Sequence, residues 1–208
     1  MNTLVFATHD VTPEHWTDFA NTAGCEPDAD GTIHIPYVLV SSRSQENITT
    51  RTEHIDKVVK THFTSSPWPD LKAAFLELYN KHPSTVSPTV FLILDQQSME
   101  DRTVIIIEKG MDWLKDDGTL AHNTGEPDVA TYTVWRKYRV GFEEAWTAQC
   151  GIQGFCSKEA AEPYWVEDVE REVYVEESGD EDEDETDSDG TTSEDLEYGD
   201  FPLAVGKK

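Results

Sequence analysis

Residues 4–8 form a short apolar run of strand length, and a helix start follows directly. Thr12 is placed to cap that helix, Pro13 takes its first position, and Trp16, Phe19, Ala20 and Ala23 recur at i, i+3, i+4 and i+7. Gly24 is the expected stop. Residues 33–40 are β-branched and aromatic, but Pro36 limits their first half to an edge or a bulge, so 37–41 is the better strand. Ile55, Val58, Val59 and Phe63 recur at helical spacing and predict a helix over 50–63. The Ser66-Pro67-Trp68-Pro69-Asp70 break separates it from a second helix, where Leu71, Ala74, Phe75, Leu78 and Tyr79 make a full stripe that Pro83 ends. Continuous apolar runs at 89–94 and 103–107, joined by polar residues 95–102, read as a buried antiparallel pair or neighbours at the centre of a sheet. Residues 116–128 read as a loop, 132–140 as another strand, and Phe142, Ala145, Trp146 and Cys150 as a short helical stripe.

Strands and helices in this alternation predict an α/β fold, with α+β the alternative: a single domain over residues 1–163 with a mixed sheet flanked by helices. The stretch between residues 40 and 89 is long enough for a parallel crossover. There is no internal repeat.

Charge divides the chain. Its 208 residues carry 42 Asp and Glu against 16 Lys and Arg, a net of −26. Residues 165–200 hold 18 of the acids and one base, Arg171, which is −17 and leaves −9 for the other 172 residues. Charges this dense cannot bury enough apolar surface to offset chain entropy, so residues 164–208 are expected to be a mostly disordered acidic tail with a short apolar end around Leu196, Tyr198, Phe201, Leu203 and Val205. Elsewhere six Trp and 10% aromatics supply material for a core. A chain this acidic is repelled by phosphate backbones and anionic lipid, so neither nucleic acid nor a membrane surface is an expected direct partner, whereas a basic protein is. Cys25, Cys150 and Cys156 match no disulfide framework, and the start Met1-Asn2-Thr3-Leu4 has no secretory pattern. An intracellular setting, cytoplasm or nucleus, is therefore expected, and no apolar run has spanning length.

Motifs add little chemistry. Trp135-Arg136-Lys137-Tyr138 spells the signature of the plant WRKY transcription factors, but Arg139-Val140-Gly141 replaces the Gly-Gln-Lys that continues it. No His follows His122 to complete a zinc site, and a strand with Trp135, Lys137 and Arg139 on one face accounts for the residues. Two Asp-rich segments, 26–31 and 185–190, place carboxylates and Gly as in the first half of a calcium loop, but position 12 falls on Tyr37 and Leu196 instead of Glu. His54 and His62 stand two helical turns apart, too far to share an ion, and the nucleotide and nucleophile-elbow signatures are missing. No cofactor, structural metal or catalytic set is expected. The tail's own chemistry lies in Glu181, Asp182, Glu183, Asp184 and Glu185, and in Ser178, Thr186 and Thr192, each with an acid three positions on, as an acid-directed kinase prefers.

Residues 37–150, with Phe91-Leu92-Ile93-Leu94-Asp95, then Val104-Ile105-Ile106-Ile107, then 132–140 entering Phe142-Glu143-Glu144-Ala145-Trp146, resemble an uncharacterised family of small α/β proteins from bacteria and fungi. The resemblance covers just over half the chain and implies a fold without an activity. The leading functional expectation is a non-enzymatic interaction module whose tail binds a basic partner; the apolar end reads as a linear motif that docks on a partner or on this protein's own sheet, where Lys137 and Arg139 offer a basic complement, or as a frayed end. The alternative is an enzyme or small-ligand protein with its site at the strand ends, near Asp95 and Glu108. Oligomeric state is not legible.

Overall fold

A computed structural model describes residues 1–25, 29, 31, 34–121, 128–153 and 167–174. The chain divides into two units, Met1–Tyr174 and Val175–Lys208, and the second lies outside the described residues. The expected tail disorder, the acidic run, the three phosphorylation candidates and the apolar end all fall there, and Cys156 is likewise undescribed.

The first unit is the expected α/β arrangement, a six-stranded mixed sheet in the order β2-β1-β3-β4-β5-β6. The strands are β1 (Asn2–Ala7), β2 (Tyr37–Val40), β3 (Val86–Leu94), β4 (Thr103–Lys115), β5 (Val129–Gly141) and β6 (Glu167–Val173). β1 runs parallel to both β2 and β3, and the pairings from β3 to β6 are antiparallel. Helices α1 (Pro13–Thr22) and α4 (Ala145–Ile152) cover one face, and α2 (Trp68–Lys81) covers the other. A short α3 (Gln96–Asp101) joins β3 to β4.

Two-sided cover explains the continuous apolar runs. Val5, Leu92, Leu94, Val104 and Ile106 meet Trp16, Phe19 and Ala145 on the first face, while Leu4, Phe6, Phe91, Ile93 and Ile105 meet Leu71, Phe75 and Leu78 on the second. The start of α1 forms as its sequence predicts, with the Thr12 hydroxyl accepting from the His15 amide at 3.3 Å. β3 and β4 are central and antiparallel, also as predicted.

Three elements differ from expectation. Residues 50–63 form no helix: Val58 is exposed, and the segment lies along the outer edge of β2. There the Thr52 amide donates to the Tyr37 carbonyl at 2.9 Å and the Thr52 hydroxyl accepts from the Leu39 amide, while Val59 bridges to Val11. Satisfying an open sheet edge outweighs a short apolar stripe with no cap. β3 starts at Val86 and passes through Pro88, which has no amide to give. The β1–β3 register shifts there, from Asn2↔Val86 to Leu4↔Phe91, as a proline in a strand requires. Finally, β6 lies beyond residue 163, in the segment expected to be tail, so the sheet extends to Val173. No helix among the described residues is long and apolar enough to cross a membrane.

Candidate functional site

Asp95 stands where parallel α/β sheets present their ligand sites, just past the carboxyl end of β3 and beside that of β1. The adjacent β1 end supplies His9, whose Nδ1 lies 3.3 Å from the Leu94 carbonyl oxygen. Asp95 itself is fully engaged. It caps α3, its Oδ1 accepting from the Ser98 amide and hydroxyl at 2.8 Å each, while the Asp95 amide donates back to the Ser98 hydroxyl at 3.1 Å. Arg139 closes on both carboxylate oxygens and also donates to the Thr103 hydroxyl at 2.9 Å. Burial pushes the Asp95 carboxyl upward, but Arg139 and Ser98 outweigh it and hold the group below its ordinary 3.8. The arrangement ties α3 to β5 through a charge pair.

A carboxylate so held contributes stability that is present above its unfolded value and is lost as pH falls through the lower folded value. Asp95→Ala is therefore expected to cost about 2 kcal/mol at pH 7 through the lost cap and an orphaned Arg139. Chemical denaturation of both proteins at pH 7 and again at about pH 3 should show the difference shrinking in acid. A difference that stays constant would mean that the charge is irrelevant.

Glu108 is not part of that place. It sits in the middle of β4, directly opposite Arg136 on β5 and Val90 on β3, and so on the α1 side of the sheet, whereas Asp95 follows the α2-side parity of Phe91 and Ile93. The antiparallel turn between β3 and β4 also reverses the direction, so their carboxyl ends lie at opposite edges. The expectation that Glu108 ends its strand fails because β4 continues as a hairpin arm to Lys115. Around Glu108 is a half-buried polar strip. Tyr138 donates its hydroxyl to Glu108 at 2.8 Å, and Arg136 lies 3.8 Å from Glu108 and pairs closely with Asp112. Arg171 of β6 reaches the other Asp112 oxygen at 3.1 Å. Gly110 makes the room, since a Cβ there would collide with the Arg136 guanidinium. Burial pushes the Glu108 carboxyl up, the nearby Asp112 charge adds to this, and Tyr138 and Arg136 only partly offset it.

Lys137 and Arg139 do share one strand face with Trp135, opposite Ile107, Ile105 and Lys109 respectively. Arg139 is committed to Asp95. Trp135 is buried against Trp68 and Phe75 beneath α2, so the Trp-Arg-Lys-Tyr run is a core strand segment.

The sequence reading missed a cleft of about 420 Å³ at the opposite, amino-terminal edge of the parallel strands. Thr3, Ser87, Pro88, Trp146, Gln149 and Gln153 line it, and it opens at the β1–β3 register shift. Gln149 of α4 is buried; its Nε2 donates to the Thr3 hydroxyl at 2.8 Å and to Gln153 Oε1 at 3.4 Å, and Gln153 Nε2 donates to the Ser87 hydroxyl at 3.1 Å. Gln149 Oε1 is buried and has no partner among the described residues. The one hint in the sequence is the i, i+4 spacing of Gln149 and Gln153. Comparison of the chain with protein-family models, curated proteins and solved structures returns no match.

Proposed function

We propose that this chain is a non-enzymatic interaction protein of the cell interior, in which the α/β unit carries an acidic segment that captures a basic partner. The observation that carries the reading is charge. Residues 175–208 hold 14 acids against Lys207 and Lys208, a net of −12 directly after the last strand of the sheet. Lys72, Arg102, Arg136 and Arg139 of the folded unit are each paired with carboxylates of that unit. A segment of this density raises the encounter rate with a cationic surface through long-range attraction, which salt screens over about 8 Å at physiological strength.

The test compares proteins captured from a lysate by the full chain, by a chain ending at Tyr174, and by a full chain with Glu181, Asp182, Glu183, Asp184 and Glu185 changed to their amides. Ending the chain at Tyr174 keeps β6 and its pairing with β5. The full chain is expected to enrich proteins of pI above about 9 that elute as salt rises. The truncated chain should lose them, and the amide variant should release them at lower salt. Equal capture by the truncated chain, or retention that salt does not alter, overturns the reading.

A further inference from the structure

We infer that the outer edge of β6 takes up an extended basic segment of the partner as a further strand, one in which Lys or Arg alternates with apolar residues; the inference rests on the capture of a basic partner argued above. β6 is the last strand of the sheet among the described residues, and an edge strand is a template for another chain. Register fixes which groups face outward. The Tyr174 amide donates to the Thr131 carbonyl at 2.9 Å, and Glu172 stands opposite Thr133 two residues back. Antiparallel pairs alternate between exchanging backbone bonds and not, so Val173, opposite Tyr132 between these two, turns its N–H and C=O away from β5. The residue as a whole is 61% exposed.

Charge selects the newcomer. The strand Glu167-Asp168-Val169-Glu170-Arg171-Glu172-Val173 holds four acids and one base. That composition opposes a second copy, because two β6 strands edge to edge set acids beside acids, and it attracts a basic strand. Glu170 and Glu172 lie on the α2 side of the sheet, opposite Trp135 and Thr133. Lys72 reaches both, at 3.0 and 2.9 Å, but one cation for two carboxylates leaves the row negative, and the Glu172 side chain is 52% exposed. A strand added antiparallel to β6 places its residues in the same rows, about 4.8 Å away. Those on the α2 side meet Glu170 and Glu172 and are therefore Lys or Arg. The residue opposite Val173 lies on the other side, packs on that valine and exchanges backbone bonds with it, and is therefore apolar. Alternation of base and apolar residue follows from the two-residue period of a strand.

Peptide titration and amide hydrogen exchange, both read by NMR on the full chain, test this with acetyl-Lys-Val-Lys-Val-Lys-Val-amide as probe. A second peptide with the valines N-methylated carries the same charge and lacks the N–H groups that would face β6. The first peptide should slow exchange of the Val173 amide, and the N-methylated one should bind at least about tenfold more weakly, because several backbone bonds are lost. Val173→Pro removes the outward N–H and no bond of the β5 ladder. It should leave the thermal midpoint unchanged and weaken the first peptide by about threefold or more. Should that variant lose β6, Glu172→Gln, which leaves the backbone intact, is expected to weaken the peptide by about twofold. Equal binding of the two peptides, an unprotected Val173 amide in the bound state, or undiminished binding by the variant overturns the inference and leaves capture by charge standing. Absence of binding by the first peptide up to about 10 mM overturns it too, and the lysate comparison then decides on capture by itself.

Discussion

Phe91→Ala is expected to remove about 4 kcal/mol of folding free energy, enough to bring a domain of ordinary stability close to unfolding. The residue is fully buried at the middle of β3, flanked by Leu4 of β1 and Ile107 of β4. Its ring centre lies 4.6 Å from that of Phe75 and 5.3 Å from that of Phe6, with Trp68 at 6.2 Å and Trp135 at 6.3 Å. Truncation therefore deletes contacts to both neighbouring strands and to α2 at once, and leaves a hole that rigid aromatic neighbours fill poorly. Equilibrium urea denaturation of the full chain should show the midpoint shift, and the thermal midpoint should fall by about 10 °C or more. Val58→Ala, at an exposed position, should stay within about 0.5 kcal/mol of the parent. A loss below about 1.5 kcal/mol for Phe91→Ala would mean that α2 does not seal this face of the sheet.

The same packing explains which parts of the fold were legible in the sequence. β1, β3 and the first half of β4 announce themselves because both faces are covered, which forces unbroken apolar runs. α1 is legible because its cap and stripe agree, Thr12 and Pro13 with Trp16 and Phe19. By contrast, residues 50–63 had apolar spacing without a cap, and their backbone went to the edge of β2. β6 was hidden by its own composition. Its register on β5 is made by backbone pairing and by Lys72 of α2, 3.0 Å from Glu170 and 2.9 Å from Glu172, so side chains that look like tail are neutralised from another element.

The sites were legible to different degrees for similar reasons. Asp95 and Arg139 could each be singled out as charged residues at strand positions, but nothing along the chain showed that they hold each other across 44 residues. Thr3, Ser87 and Gln149 carry no charge and belong to no motif. Thr3 and Gln149 meet across 146 positions, and only the sheet brings them together.

Arg136→Met should be nearly as damaging as the Phe91 change at neutral pH, at about 3–4 kcal/mol, and it should be the more informative because the damage depends on pH. Arg136 is only 13% exposed and lies between two carboxylates, Asp112 and Glu108, that are themselves largely withdrawn from water. Removing the cation leaves those two charges facing each other, with Arg171 reaching Asp112 from one side and the Tyr138 hydroxyl donating to Glu108 from the other. Burial already pushes the Glu108 carboxyl above its ordinary 4.5 with Arg136 in place, and the loss of Arg136 pushes it further. A group whose folded pKa is raised contributes stability below its unfolded value and loses it as pH rises through the folded one. The deficit of the variant should therefore be larger at pH 7.5 than at pH 5, because lowering the pH favours the proton on the raised Glu108 carboxyl that relieves the repulsion. Asp95 and Glu170, held below their ordinary values by partners that the change does not touch, act alike in parent and variant and cancel from the comparison. Adding Glu108→Gln and Asp112→Asn to Arg136→Met should restore much of the loss at pH 7.5, because neutral groups of the same shape remove the uncompensated charge. Urea midpoints for the three proteins at the two pH values decide the matter. A deficit equal at both, or one that the added amides do not relieve, would show that Arg136 supports the hairpin through its packing alone.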